Sequence, residues 1–154
     1  MGQINWSRVV LGGFVAGLVM NVSEFIMTVP VLGPRMQAEL TSHSLPPMGG
    51  GVMTFYIVMA FLVGTLTVWL YAAIRPRYGP GPKTATCAGL TVWFLGMLRS
   101  RLGLATLGIF STGLTATVVV WGLVEMTLAA LAGAWLYREQ EAPASPAETY
   151  AKVH

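Results

Sequence analysis

Glu24 and Glu125 each lie inside a long apolar run. An acid in hydrocarbon is expensive enough to need a reason, and such residues mark proton sites, ligand sites or buried networks. At helical spacing Gly13, Gly17, Asn21, Glu24 and Thr28 share one face, and Val118, Gly122, Glu125, Ala129, Ala132 and Leu136 share another. Each acid therefore sits on a stripe of small and polar groups. Gly13 with Gly17, and Ala129 with Gly133, are four apart and allow close backbone approach in lipid, so Gly13, Gly17, Gly122, Ala129 and Gly133 are assigned to helix packing.

Counting at about 1.5 Å per residue puts Glu24 about 24 Å from the level of Arg8 and Glu125 about 19 Å from that of Arg138. In an unbroken helix Arg99 would lie about 22 Å from Thr84, in the same layer. The expected site is thus a cluster of Glu24, Glu125 and Arg99, with Asn21 and Tyr56 as hydrogen-bonding neighbours. One arginine stabilises one carboxylate and leaves the other to hold a proton. A proton-coupled carrier needs such an arrangement, and structural glue between helices uses the same groups. The structural reading comes first, and Arg99 with Arg101 reads first as a helix end reaching to the interface.

Other chemistry is scarce. The histidines are His43 and His154, both outside the apolar runs, so a paired-imidazole haem site is not expected. Glu39 and His43, four apart, are two metal ligands at most. Aspartate is absent, and Ser100 and Ser111 have no adjacent histidine, which removes the usual nucleophilic triads. Gly49, Gly50 and Gly51 lack the lysine of a phosphate loop. Cys87 is the lone cysteine and reads as a packing residue. Trp6, Trp93, Trp121 and Trp135 suit interface belts or helix packing. These readings predict no cofactor, no metal and no enzyme.

The elements that must position the acids follow from composition. Hydrophobic residues make up 55% of the chain and charged ones 10%, against roughly a quarter charged in soluble domains. Four apolar runs are read as helical spans over about residues 9–32, 52–74, 84–103 and 111–137. The predicted fold is an all-α integral membrane four-helix bundle over residues 1–139, with a mobile polar tail at 140–154. Pro, Gly and polar residues punctuate the connections, and the first carries a short helix from Pro34 to Thr41 with Met36 and Leu40 facing the membrane. The first apolar run is too long for a signal-peptide core and reads as an uncleaved anchor.

Arg8, Arg75, Arg77, Lys83, Arg138 and Lys152 fall on one side of such a bundle, Arg35, Arg99 and Arg101 on the other. Both termini are therefore expected in the cytoplasm. The net charge of +3 is divided among span ends, which suits anionic lipid and not nucleic acid.

The run from Asn5 to Glu24 (NWSRVVLGGFVAGLVMNVSE) and that from Val68 to Thr84 (VWLYAAIRPRYGPGPKT) resemble small bacterial integral membrane proteins with four predicted spans. That resemblance implies a multi-pass protein of the bacterial inner membrane and transfers no activity or catalytic residue. The leading expectation is a non-enzymatic membrane protein that assembles with itself or as an accessory subunit of a larger complex in the bilayer. The alternative is a small proton-coupled transporter or ion-conducting protein using Glu24 and Glu125.

Overall fold

The computed structural model describes residues 4–47 and 49–138. Helix is the one regular element among them: α1 (Trp6–Ile26), α2 (Gly33–Ser42), α3 (Gly50–Tyr78), α4 (Pro82–Val92), α5 (Arg99–Thr106) and α6 (Thr112–Leu136). Two π-helical segments, Met27–Val31 and Trp93–Leu98, extend α1 and join α4 to α5. The tail at 140–154 lies outside the described residues.

Local chemistry explains the helix ends. Asn5 caps α1 by accepting from the Arg8 N–H at 3.2 Å, and the Ser111 hydroxyl accepts from the Leu114 N–H at 3.4 Å at the start of α6. Pro30 has no N–H and its ring crowds the carbonyl four residues back. The helix widens around it, and the Leu32 N–H bonds to the Met27 carbonyl, five residues back, at 2.8 Å. α3 runs on through Pro76 to Tyr78, past the expected end at Ile74, and the Gly79 N–H closes its last turn on the Arg75 carbonyl at 2.8 Å. Gly79 and Gly81 then take positive φ values of 83° and 130°, turning the chain sharply into α4.

α1, α3, α6 and the α4–α5 stretch form four antiparallel rods. α1 packs on α3 and α6, while α4 packs on α3 and α6 from the other side. A Cβ placed on Gly12 would come within 2.6 Å of the Gly133 carbonyl oxygen, and one on Gly64 within 2.6 Å of the Gly17 nitrogen and 2.7 Å of the Gly13 oxygen. On Gly89 it would lie 2.8 Å from the Met126 oxygen. Backbone meets backbone at these three crossings, which is how helices gain contact where lipid supplies no hydrophobic drive between them. Much of the core is alanine, including Ala16, Ala72, Ala85, Ala88, Ala129 and Ala130. Large apolar side chains such as Phe14, Leu18, Leu62, Val124 and Leu128 point outward, the pattern expected of a bundle whose solvent is hydrocarbon.

Three helices are long and apolar enough to cross a membrane: Trp6–Val31, Gly50–Tyr78 and Thr112–Leu136. The expected third span, 84–103, is instead the stretch from Pro82 to Thr106, divided by its π segment and carrying Arg99 and Arg101 beyond it.

The small-residue stripes are spent inside the bundle. Gly13 and Gly17 face Thr65 and Phe61 of α3, Gly133 faces Val68 and Gly12, Ala129 is buried, and Gly122 lies under the flexible side chain of Met97. Gly12, Gly64 and Gly89, which complete the close crossings, were not among the expected packing positions. Nothing in a glycine's own spacing reveals which partner helix needs the room.

Candidate intramembrane acid site

The register of α1 against α6 places the acids. Gly12 sits against Gly133, and the Trp121 indole N–H donates to the Ser23 hydroxyl at 2.9 Å. Both contacts fit one antiparallel alignment. Glu24 is thus level with Trp121, and Glu125 lies about one turn, roughly 5.4 Å, further toward the Gly12–Gly133 crossing. The two acids occupy successive layers, where depth counting from each helix end had put them at one level.

Glu125 is 2% exposed, and neither of its carboxyl oxygens has a hydrogen-bond partner. Ser23 and Glu24 are the polar groups that act on it, and Ser23 is near without completing a hydrogen bond. Glu24 is half-buried, with the Thr28 hydroxyl donating to its Oε2 at a long 3.5 Å. The cation whose field reaches Glu24 is Arg101. Arg101 lies beside Met36, Phe110, Leu114, Thr115 and Val118. These neighbours put it nearer the α2 end than either acid. The order from that end inward is Arg101, Glu24, Glu125.

Arg99, the arginine expected at this layer, is exposed. Depth counting assumed 3.6 residues per turn, whereas the π segment Trp93–Leu98 widens the helix and rotates every residue beyond it. Asn21 belongs to the α1–α3 contact: its amide donates to the Gly17 carbonyl at 2.9 Å and to Ile57 of α3 at 3.4 Å. Tyr56 is 57% exposed and rests edge-on against Phe55. Ser23, Trp121 and Arg101 are the groups that join the acids. Ser23, the polar residue next to Glu24 in the same apolar run, was a usable signal, but its tryptophan partner is 98 residues away.

Beside Glu125 lies a shallow, open groove along α6, lined by Ala116, Thr117, Val120, Trp121, Val124 and Leu128, with Ser23 of α1 at its edge. Its mouth faces the side on which Val120, Val124 and Leu128 are exposed, the surface that hydrocarbon would bathe.

The α2 end carries a second polar contact. Glu39 accepts from the Ser111 N–H at 2.9 Å through Oε2 and from the Ser111 hydroxyl through Oε1. Both bonds, the hydroxyl one foremost, hold the Glu39 carboxyl below its ordinary range. Its oxygens are therefore engaged at the start of α6. Among the described residues no group of three or more metal-ligating side chains comes together.

An isolated ionised carboxylate is costly in an apolar interior, so a carboxyl buried without a partner takes up a proton or pairs with a cation. The acids, Ser23 and Thr28 make a short polar line running from Arg101 into the bundle. No family model, curated protein or solved structure matches this chain. The fold and the site define its class: a helical membrane protein holding acids within an antiparallel bundle.

Proposed function

We propose that this chain is a non-enzymatic, four-span protein of the bacterial inner membrane whose working site is the Glu24–Glu125 pair, where a proton is taken up and released in coupled transport. The observation that carries the reading is Glu125, 2% exposed with both carboxyl oxygens unpartnered on the wall of a groove. A buried unsatisfied polar group costs about 1–3 kcal/mol, which an alanine or methionine at the same place would avoid. A purely structural acid would be expected to bond across to a neighbouring helix, as Trp121 does to Ser23.

The fourth crossing in this reading is the Pro82–Thr106 stretch, antiparallel to its neighbours, with Arg99 and Arg101 reaching toward the interface. The termini and the α3–α4 turn then share the cytoplasmic side, where Arg8, Arg75, Arg77, Lys83 and Arg138 gather.

The test is infrared spectroscopy of the whole protein in lipid. A protonated carboxyl band that titrates between about pH 5 and pH 8 and disappears in Glu125→Gln is expected. The reading fails if no such band exists or if the variant leaves it intact.

One observation favours a second role in assembly, with a copy of this chain or as an accessory subunit. Gly51 through Val58, at the start of α3, are exposed on every side of the helix. Self-association would use that turn and not the small-residue stripes, which already face inward. Cross-linking in native lipid through a cysteine placed at Phe55 would detect it.

A further inference from the structure

We infer that α2 is a lid over the acid pair: a short helix, latched to the start of α6 through Glu39 and seated by Met36, whose lifting admits water from its side of the membrane to Glu24 and Glu125. The inference deepens the proton-site reading and rests on it for its purpose, because a proton taken up at a buried carboxyl has to arrive from water.

Ser111, Leu114, Val118, Trp121 and Glu125 are three and four residues apart, so they form one face of α6 from its cap to the buried acid. α2 covers the outer part of that face. Glu39 takes both donors of Ser111, the N–H at 2.9 Å and the hydroxyl. The start of a helix has unsatisfied N–H groups and favours negative charge, so a carboxylate is well suited to that position. Met36, expected to face the membrane, instead packs on the buried cluster of Met27, Leu32, Leu114 and Val118. Behind this apolar plug the groups are polar: Arg101 beside Met36, then Ser23 bonded to Trp121 at 2.9 Å, then the acids. An apolar constriction of this kind excludes water while it is seated.

Little else holds α2 in place. None of its residues is buried, and its half-buried side chains are Met36, Glu39 and Leu40. A helix of ten residues is marginal by itself, and a segment with few buried apolar contacts opens at low cost in free energy. The chain bends at Leu32 before α2 and is non-helical over residues 43–47 after it, so α2 can lift without disturbing the helices on either side. The crossings at Gly12, Gly64 and Gly133 lie in the other half of the bundle and stay closed as it does so.

The experiment uses the full chain in nanodiscs, where both membrane faces meet the solution, with the exposed Cys87 replaced by alanine. The probe is a charged, lipid-insoluble methanethiosulfonate, and its rate of reaction is followed at Val118→Cys, a buried position under Met36, and at Ala129→Cys, a buried position in the closed half. Glu39→Ala should speed modification at position 118 at least about tenfold, as expected for loss of a charge-assisted contact. Met36→Ala should speed it as well with the Glu39 contact intact, and position 129 should stay slow throughout. The Glu39 and Met36 variants, made with Val118 and Ala129 in place, should also hasten hydrogen–deuterium exchange of the Glu125 carboxyl band in heavy water. An unchanged rate at position 118 in Glu39→Ala overturns the inference, as does an equal rise at position 129, which would mean general loosening. Unchanged deuterium exchange overturns it too, since water would then not reach the acids. Faster thiol modification without any titrating carboxyl band leaves the lid standing and removes the proton site, whereas a titrating Glu125 band with unchanged thiol rates does the converse.

Discussion

The two halves of the bundle are built from the same kinds of helix and solve opposite problems. In the half near Asn5 and Tyr137, backbones cross at Gly12, Gly64 and Gly133 and the space between them is filled by alanine and Val68. Its end is stitched by Tyr71 and Tyr137, whose rings meet edge-on at 5.9 Å and whose hydroxyls accept from the Gly81 and Asn5 N–H groups at 3.3 Å each. In the half near α2, the helices widen at two π segments, a groove opens, and the acids occupy what would otherwise be core. The small-residue crossings buy the rigidity against which the acid half can remain open. A π segment trades regular bonding for a displaced face, and such segments are frequent at functional sites.

The comparison breaks most severely if the closed half is forced apart. Gly64→Leu places side-chain atoms against the backbone of Gly13 and Gly17. It should cost about 3 kcal/mol or prevent folding, as read by thermal unfolding in detergent. Gly122→Ala meets only the movable Met97 side chain and should stay within about 1 kcal/mol of the parent. If the two variants behaved alike, the distinction between a tight and an adaptable half would be lost.

The next effect has the opposite sign. Glu125→Met removes an unpartnered carboxyl of 2% exposure and should raise stability by about 1–3 kcal/mol while abolishing the titrating carboxyl band. A loss of stability of similar size would show that the acid holds the bundle together.

Smaller still is the bond that closes the acid layer. Trp121→Phe deletes the donor to Ser23 and should cost about 1 kcal/mol. Combined with Ser23→Ala in a double-mutant cycle, it should show coupling of about 0.5 kcal/mol or more, as expected for residues in contact.

The smallest expected effect belongs to Glu39. Its folded-state value is depressed by Ser111, so its contribution is present above the ordinary carboxylate range and is lost as pH falls through the lowered folded-state value. Glu39→Gln should lower stability slightly at neutral pH, converge with the parent in acid, and so flatten the acid limb of a stability profile. An unchanged acid limb would mean that the contact to α6 contributes nothing measurable.

Particular residues show how much could be read in advance. The short helix expected from Pro34 to Thr41 is found as Gly33–Ser42, and the last span expected over 111–137 as Thr112–Leu136. Proline position, capping residues and apolar run length are local signals, and they carried over. Arg99 against Arg101 is the instructive miss, because a face counted at 3.6 residues per turn does not survive a π segment that no proline announces. Asn21 shared a stripe with Glu24 and yet serves α3, since a stripe says which side of a helix is special and not which neighbour it meets.

The amino-acid sequence by itself determined long apolar helical runs, of which three described helices are long and apolar enough to cross a membrane, with acids at Glu24 and Glu125 among small residues. Apolar length and residue size are properties of the chain alone. Tertiary structure decided that Ser23 and Trp121 meet, that Arg101 is the cation acting on Glu24, and that Glu125 is left unpartnered beside a groove. Those outcomes depend on the register between helices distant in sequence, and that register is set by the glycine crossings, where the backbones can approach only when small residues from both helices coincide.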